Sequence, residues 1–383
     1  MLVQDLVAAM EAIAPPSYAE AWDKVGLLVG DRTRALAGPV MLAIDLTEAV
    51  LDEAIASGAG AIVAYHPPIF EPLNRVTNET PRQRVVLRAI EQKIAIYSPH
   101  SALDAIPGGI TDWLCEGLSG GAGTPEGGKI AGDCRSMAPA QLQPATQQVK
   151  VVTFLPASEA DKVRNALASA GAGIIGNYQL CSFAAPGEGT FLAGEGAKPR
   201  VGGVGRLEHV SELRLEMVCS RAALPLATAT LKRFHPYEEP PIEVYPLAPL
   251  PQRDAGAGRR LVLDQPATVP ELAQRLKAFL RRDRVRYAIA GAERPLKRVG
   301  VVPGSGSSLS RLARQEGCDV FVTGEMKHHE ILGALNAGMS VILGGHTGTE
   351  RGYLPRLGHL LRQRLPGAAI VLSTKDVEIL VTI

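Results

Sequence analysis

The chain has 383 residues, 46% hydrophobic and 21% charged, which is ordinary globular usage and excludes wholesale disorder. Its 40 Lys and Arg against 39 Asp and Glu leave a net charge of +1, which argues against a broad nucleic-acid or anionic-membrane surface. No apolar run is long enough for a membrane span, and five cysteines (Cys115, Cys134, Cys181, Cys219 and Cys318) are widely spaced without a C-x-x-C. That usage points to reduced thiols in a cytoplasmic protein and away from a thiolate zinc site.

Leu2, Leu6, Met10 and Ile13 mark one face of an expected N-terminal helix, and this segment, without a basic n-region and broken by Asp5 and Glu11, reads as that helix and not as a signal peptide. Short apolar runs at Val40–Asp45, Ala61–Tyr65 and Ile94–Tyr97 then alternate with helical patterns, the last at Ile110–Leu118. This predicts an α/β fold built on mainly parallel sheets. Residues 121–148, rich in Gly, Pro and Gln, read as a linker. From 149 to 247 the order β-α-β-β-β-α-β, with a hairpin at Tyr178–Ala184 and Thr190–Ala193, suggests a small ferredoxin-like α+β domain. PLAPLPQRDAGAG marks another junction, and the α/β texture returns through a strand at Arg298–Val302 to closing strands at Ala369–Ser373 and Val377–Ile383. The economical reading makes 1–120 and 248–383 one core, interrupted by the inserted 149–247 domain.

The histidines fall at strand ends: AIVAYH ends at His66, IAIYSPH at His100 and SVILGGH at His346. Ligands of open α/β sheets collect beyond the carboxyl ends of strands. Asp104 and Glu350 each follow a histidine by four residues, so His346 and Glu350 can share one helix face. Imidazole with carboxylate suits Zn, Fe, Mn, Co or Ni. A histidine at a strand end is also common as a packed residue, and His235 reads as a turn residue beside Pro236 and Tyr237. Gly304–Ser308 sits between strand and helix, where its amides could hold an anion or simply make a tight turn. It lacks a P-loop ending. Arg281, Arg282, Arg284 and Arg286 form a local basic cluster that reads as a solvated helix end.

Six segments in order, WDKVGLLVGD, YHPPIFEPL, SPHSALDAIPGGITDWL, GSGSSL, DVFVTGEMKHHE and GGHTGTERGYLP, resemble the NIF-three-like family of GTP cyclohydrolase I type 2 homologues. The 149–247 insert, with HPYEEPPIEVY, is similar to the PII/CutA-like domain of the longer members. The resemblance implies a dinuclear metal centre in a toroidal homohexamer, with His66, Asp104, His346 and Glu350 as metal ligands and Glu350 as the bridge. Where the family's bacterial pattern usually has two adjacent histidines, this chain has Tyr65–His66, a form that some members, particularly eukaryotic ones, share; His100 or water would complete that shell. Glu350, Asp104 and His329 are the residues expected to take part in catalysis, with His329 and Glu325 contacting substrate or orienting the ligands. Two divalent ions per chain, which lower the pKa of bound water to about 7, would hydrolyse a nucleotide or another phosphate-bearing small molecule. The alternative from the same residues is a non-catalytic metal-binding scaffold or metallochaperone regulated through the insert. Neither reading involves a membrane or nucleic acid.

Overall fold

The structure is a computed structural model, and it describes residues 1–380. The chain divides into two compact units, Met1–Ala140 together with the chain from Gln252 onward, and Gln141–Pro251.

The first unit holds two sheets. One has the strand order Gly26–Val29, Ala95–Ser98, Ala61–Ala64, Val40–Ala43, Ile370–Leu372, antiparallel only at its first pair. The other runs Arg286–Ala288, Ser340–Leu343, Val320–Thr323, Leu296–Val301, Leu250–Ala267, Gly132–Leu142; its three parallel strands are flanked on both sides by antiparallel neighbours. Both sheets are therefore mixed. The strands VMLA, AIVA, VFVT and SVIL are buried at every position, which is why they read as unbroken apolar runs without alternation. Leu42, Val63, Val301, Val322 and Ile342 join one large core shared by the two sheets, together with the helices Val3–Ile13, Ile110–Leu118, Val269–Phe279 and Leu354–Arg364. Met41 and Ile62, pointing the other way, pack under the helices Glu48–Ala56 and Pro81–Glu91.

Thr47 starts the helix Glu48–Ala56 by accepting a hydrogen bond from the Val50 amide at 3.3 Å. Glu53 of this helix ties down the far end of the chain. Its carboxylate accepts from Thr374 Oγ1 at 2.6 Å, from the Thr374 amide at 2.9 Å and from the Lys375 amide at 3.2 Å. Partial burial opposes ionisation, but the hydrogen bonds from Ser373, Thr374 and Lys375 outweigh it and pull the Glu53 pKa down to about 2. A carboxylate with a lowered folded-state pKa stabilises the fold above its unfolded value near 4.5, and that stabilisation is lost as pH falls toward 2. Glu53→Gln is accordingly expected to lower the urea midpoint at pH 7, with the gap from wild type closing between pH 4.5 and pH 2. A gap that stays constant over that range would show that the carboxylate charge is not what holds the segment.

The stretch read as a linker contains the strand Gly132–Leu142, paired beside Leu250–Ala267. Its glycines, and those of the neighbouring strand, serve close approach rather than disorder. At Gly256, with φ +129°, a Cβ would stand 2.1 Å from the Ala138 carbonyl oxygen. The expected closing strand at Val377–Ile383 is absent over Val377–Leu380, and its last three residues lie outside the described ones.

The second unit runs strand Val149–Leu155, helix Ala160–Ser169, strands Phe183–Leu192 and Leu207–Cys219, helix Leu224–Phe234, strand Ile242–Pro246. Its four strands are antiparallel, in the order Phe183–Leu192, Leu207–Cys219, Val149–Leu155, Ile242–Pro246 from edge to edge. Val151, Leu215 and Met217 pack against Val163, Leu167 and Leu231 of the two helices. The expected hairpin is instead one edge strand, where the missing N–H of Pro186 is tolerated. His235 is buried; its Nδ1 accepts from the Tyr237 amide at 3.1 Å, and its Nε2 lies 3.1 Å from Thr153 Oγ1. No helix among the described residues is long and apolar enough to cross a membrane.

Candidate metal centre

The parallel strands of the first unit carry their histidines to one place. His66 follows the strand Ala61–Ala64, His100 opens the short helix His100–Ala105, and His346 follows Ser340–Leu343 of the other sheet. The His66 ring centroid is 5.4 Å from those of both His100 and His346.

Each imidazole rests its Nδ1 on a carboxylate: His66 on Asp45 at 2.9 Å, His100 on Asp23 at 2.8 Å, and His346 on Glu325 at 2.8 Å. Such contacts fix ring orientation and favour the proton on Nδ1. For two of the rings the other nitrogen meets Glu350. His66 Nε2 is 3.5 Å from Oε2, and His346 Nε2 is 3.6 Å from Oε1. The ligand-type atoms of His66, His346 and Glu350 all lie within 4.8 Å of one another. Glu350 is 2% exposed, and its Oε2 is buried without a hydrogen-bond partner among the described residues. A buried carboxylate oxygen left so is costly unless a cation or donor reaches it.

The two histidine–acid pairs spaced by four behave differently. His346 and Glu350 converge, as a shared helix face requires. His100 and Asp104 take separate partners, since His100 has φ +30° at the helix start, off the helical geometry, and turns to Asp23. Asp104 Oδ1 instead accepts from the Tyr65 hydroxyl at 2.8 Å. Burial, reinforced by the charges of Asp104 and Glu350, pushes the Tyr65 phenol well above its ordinary pKa, so it stays a proton donor. Burial also lifts Asp104 well above the usual carboxylate range; the Tyr65 hydrogen bond opposes this, and the charge of Glu350 adds to it. His66 goes the other way. Burial disfavours its charge, but the Asp45 hydrogen bond and the Glu350 carboxylate raise it to about 10.

Glycines make the floor. Gly304, at φ +57°, lies so close beneath the cluster that a Cβ there would stand 2.4 Å from Glu350 Oε1 and 3.3 Å from His346 Nε2. Gly324 passes over the carbonyls of Gly304 and Gly345 with no room for a side chain. Two amides of the Gly304–Ser308 turn are already occupied, Gly304 by Thr349 Oγ1 at 2.9 Å and Gly306 by Thr323 Oγ1 at 3.0 Å. That leaves the tight-turn reading of this segment ahead of the anion cradle. His329 is exposed on the first turn of the helix His328–Asn336, outside the cluster, while Glu325 touches it through His346. Arg282 of the basic cluster is paired with Glu378 at 2.7 Å.

Asp45 and Asp23 were not read from the sequence as site residues. For Asp45 the signal was present: the parallel register pairs Ala43 with Ala64, which carries Asp45 to the side of His66 two residues on. Asp23 lies far from His100 along the chain, and nothing local couples them. A cavity of about 690 Å³ lies in the second unit, and none of the cluster residues lines it. The His and Glu cluster is the centre with convergent chemistry.

Residues 1–378 match the Duf34/NIF3 (NGG1p interacting factor 3) family. A "GTP cyclohydrolase 1 type 2 homolog" of Halalkalibacterium halodurans is 33% identical over 374 residues, 97% of this chain and 96% of that protein. The "NIF3-like protein 1" of Bos taurus is 33% identical over 380 residues, 98% of this chain and 91% of its own length. Among solved structures, a Staphylococcus aureus protein covering all of this chain and 99% of its own superimposes with a TM-score of 0.78 at 25% identity. A Bacillus cereus protein related to NIF3 gives 0.66 at 29% identity, with the same coverage. With residues 1–378 matched by the family and 97–98% of its length by these relatives, the chain belongs to the Duf34/NIF3 family.

Proposed function

We propose that this protein is a metal-dependent hydrolase acting on a nucleotide or another phosphate-bearing small molecule, in the manner its relatives' name suggests. The observation that carries the reading is Glu350, a buried carboxylate held between two imidazole nitrogens with one oxygen lacking a hydrogen bond. Asp23, Asp45, Asp104, Glu325 and Glu350 crowd three histidines, and this donor set fits a borderline divalent cation. His66, His346 and Glu350 would hold the ion, Asp104 would join them, and a second ion would share Glu350. Bound there, divalent metal supplies Lewis acidity and lowers the pKa of water. The chain's own part is to orient. Asp45 and Glu325 hold the imidazoles by their Nδ1 atoms, and Tyr65 holds Asp104 through its hydroxyl. Glu350, Asp104 and His329 are the residues proposed to face substrate, the last from its exposed helix turn.

The domain reading belongs with this proposal: a core of 1–120 and 248–383 carrying a 149–247 insert. The βαββαβ connectivity of the second unit and its antiparallel sheet support a ferredoxin-like, PII/CutA-like insert. A homohexamer and a cytoplasmic location complete it, the latter supported by five cysteines without disulfides. The alternative is a metal-binding scaffold regulated through the insert, favoured by the 690 Å³ cavity in that unit.

Protein reconstituted with Mn, Fe, Co or Zn and assayed on GTP and simple phosphoesters decides between them. Turnover is expected, and Asp104→Ala should reduce it at least 100-fold, the scale set by loss of a metal-site group. Metal bound at full occupancy with no turnover on any of these ions would favour the scaffold.

A further inference from the structure

We infer that Trp22 and Phe70 form a stacking corner beside the candidate metal centre that takes a planar heteroaromatic ring of the substrate. This chain is poor in aromatic residues, with two Trp and seven Phe. Trp113 is buried at 2% exposure, whereas Trp22 and Phe70 are 55% and 47% exposed. The two exposed rings touch each other, with centroids 5.9 Å apart and planes tilted by 54°. Both also meet His100, at 5.9 Å and 6.4 Å. His100 is one ring step of 5.4 Å from His66.

Neither ring is exposed because its segment is loose. Asp23, next to Trp22, grips His100 Nδ1 at 2.8 Å and accepts from the Ser101 amide at 3.0 Å, while the Glu20 amide donates to Ser101 Oγ at 3.0 Å. The turn carrying Trp22 is thereby pinned to the start of the helix His100–Ala105. Phe70 lies between Ile69 and Leu73, both packed onto the core beneath, so its loop is anchored on either side while its own ring faces out. Two fixed aromatic faces cost little entropy to bind against and accept any π-surface. At 5.9 Å the rings leave no room for a third between them, so a planar group stacks on their open faces. The corner is an L of two side chains, far smaller than a protein interface. Its polar edge is His100, which leads to the cluster of Glu350 and His66. The ligand shape this fits is a flat heterocycle at one end and an anionic group at the other.

The inference rests on the proposed metal reading only for where that anionic end lies. Trp22 is the exposed one of two tryptophans, so intrinsic fluorescence and calorimetry report on the corner in both metal-free and Mn-loaded protein. Guanosine 5′-monophosphate is expected to bind about tenfold more tightly than ribose 5-phosphate and to quench tryptophan emission, the scale of one stacked base. Trp22→Leu should erase that preference, Trp22→Phe should keep most of it, and Phe70→Ala should weaken it. Glu350→Gln should lose metal yet retain the ring preference in the metal-free state, which separates failure here from failure of the metal assignment. Equal affinities for the two ligands in the wild type, or a preference that survives Trp22→Leu, would overturn the proposal. So would a Trp22→Leu variant whose sedimentation changes while its ligand preference does not, since the corner would then be a contact with a second copy.

Discussion

Glu350→Gln is expected to empty the centre of metal. Glu350 alone among the cluster residues faces two imidazole nitrogens, at 3.5 and 3.6 Å, one from each sheet's histidine. An amide keeps the shape and loses the charge, so the cation loses its main counter-charge while the packing survives. Substitutions around metal ligands cost 10- to 100-fold in affinity, and loss of a ligand itself should exceed that upper figure. Two measurements read this independently. Elemental analysis should find less than a tenth of the wild-type metal per chain. Metal added at about 100 times its dissociation constant stabilises a wild-type site by about 2.7 kcal/mol. The melting temperature of the wild type should therefore rise by several degrees with metal, and that of the variant should not. Unchanged metal content in the variant would remove Glu350 from the ligand set.

The largest effect on stability is expected away from the centre, at Arg356. Its guanidinium makes a two-pronged pair with Glu116, both N···O distances 2.7 Å, and also donates to the Thr124 carbonyl at 2.9 Å. Arg356 and Glu116 are 5% and 3% exposed. Arg356→Ala would strand a carboxylate in the interior, and breaking a buried pair from one side costs about 3–5 kcal/mol. Adding Glu116→Leu to an Arg356→Met background should restore most of the loss, because an apolar pair of similar volume has no charge to desolvate. Urea unfolding measures both. A single variant within about 1 kcal/mol of wild type would mean that water reaches Glu116.

The strand-end histidines were legible because four-residue apolar runs mark buried parallel strands, and the residue just beyond such a run faces the open end of the sheet. The convergence of His346 with Glu350 was legible for a local reason, helical spacing. What stayed hidden depends on pairs distant in sequence. Asp23 reaches His100 across 77 residues, and Arg356 reaches Glu116 across 240. Composition also misled: glycines around 119–142 and 250–258 suggested breaks, yet several are the positions where two strands come too close for a side chain. Tyr65 shows a third limit. Its aromatic side chain could be read as a weak ligand, but its hydroxyl is a donor to Asp104, and only the neighbour's position reveals that.

His66 and Glu350 are separated along the chain by the entire second unit. A chain growing on the ribosome therefore holds half of the cluster through most of its synthesis, with nothing to complete it until residues 346–350 have emerged. The first sheet closes later still, when the strand Ile370–Leu372 pairs beside Val40–Ala43. A product truncated before that point lacks both an edge of its sheet and the tie to Glu53, even where it already carries the complete cluster.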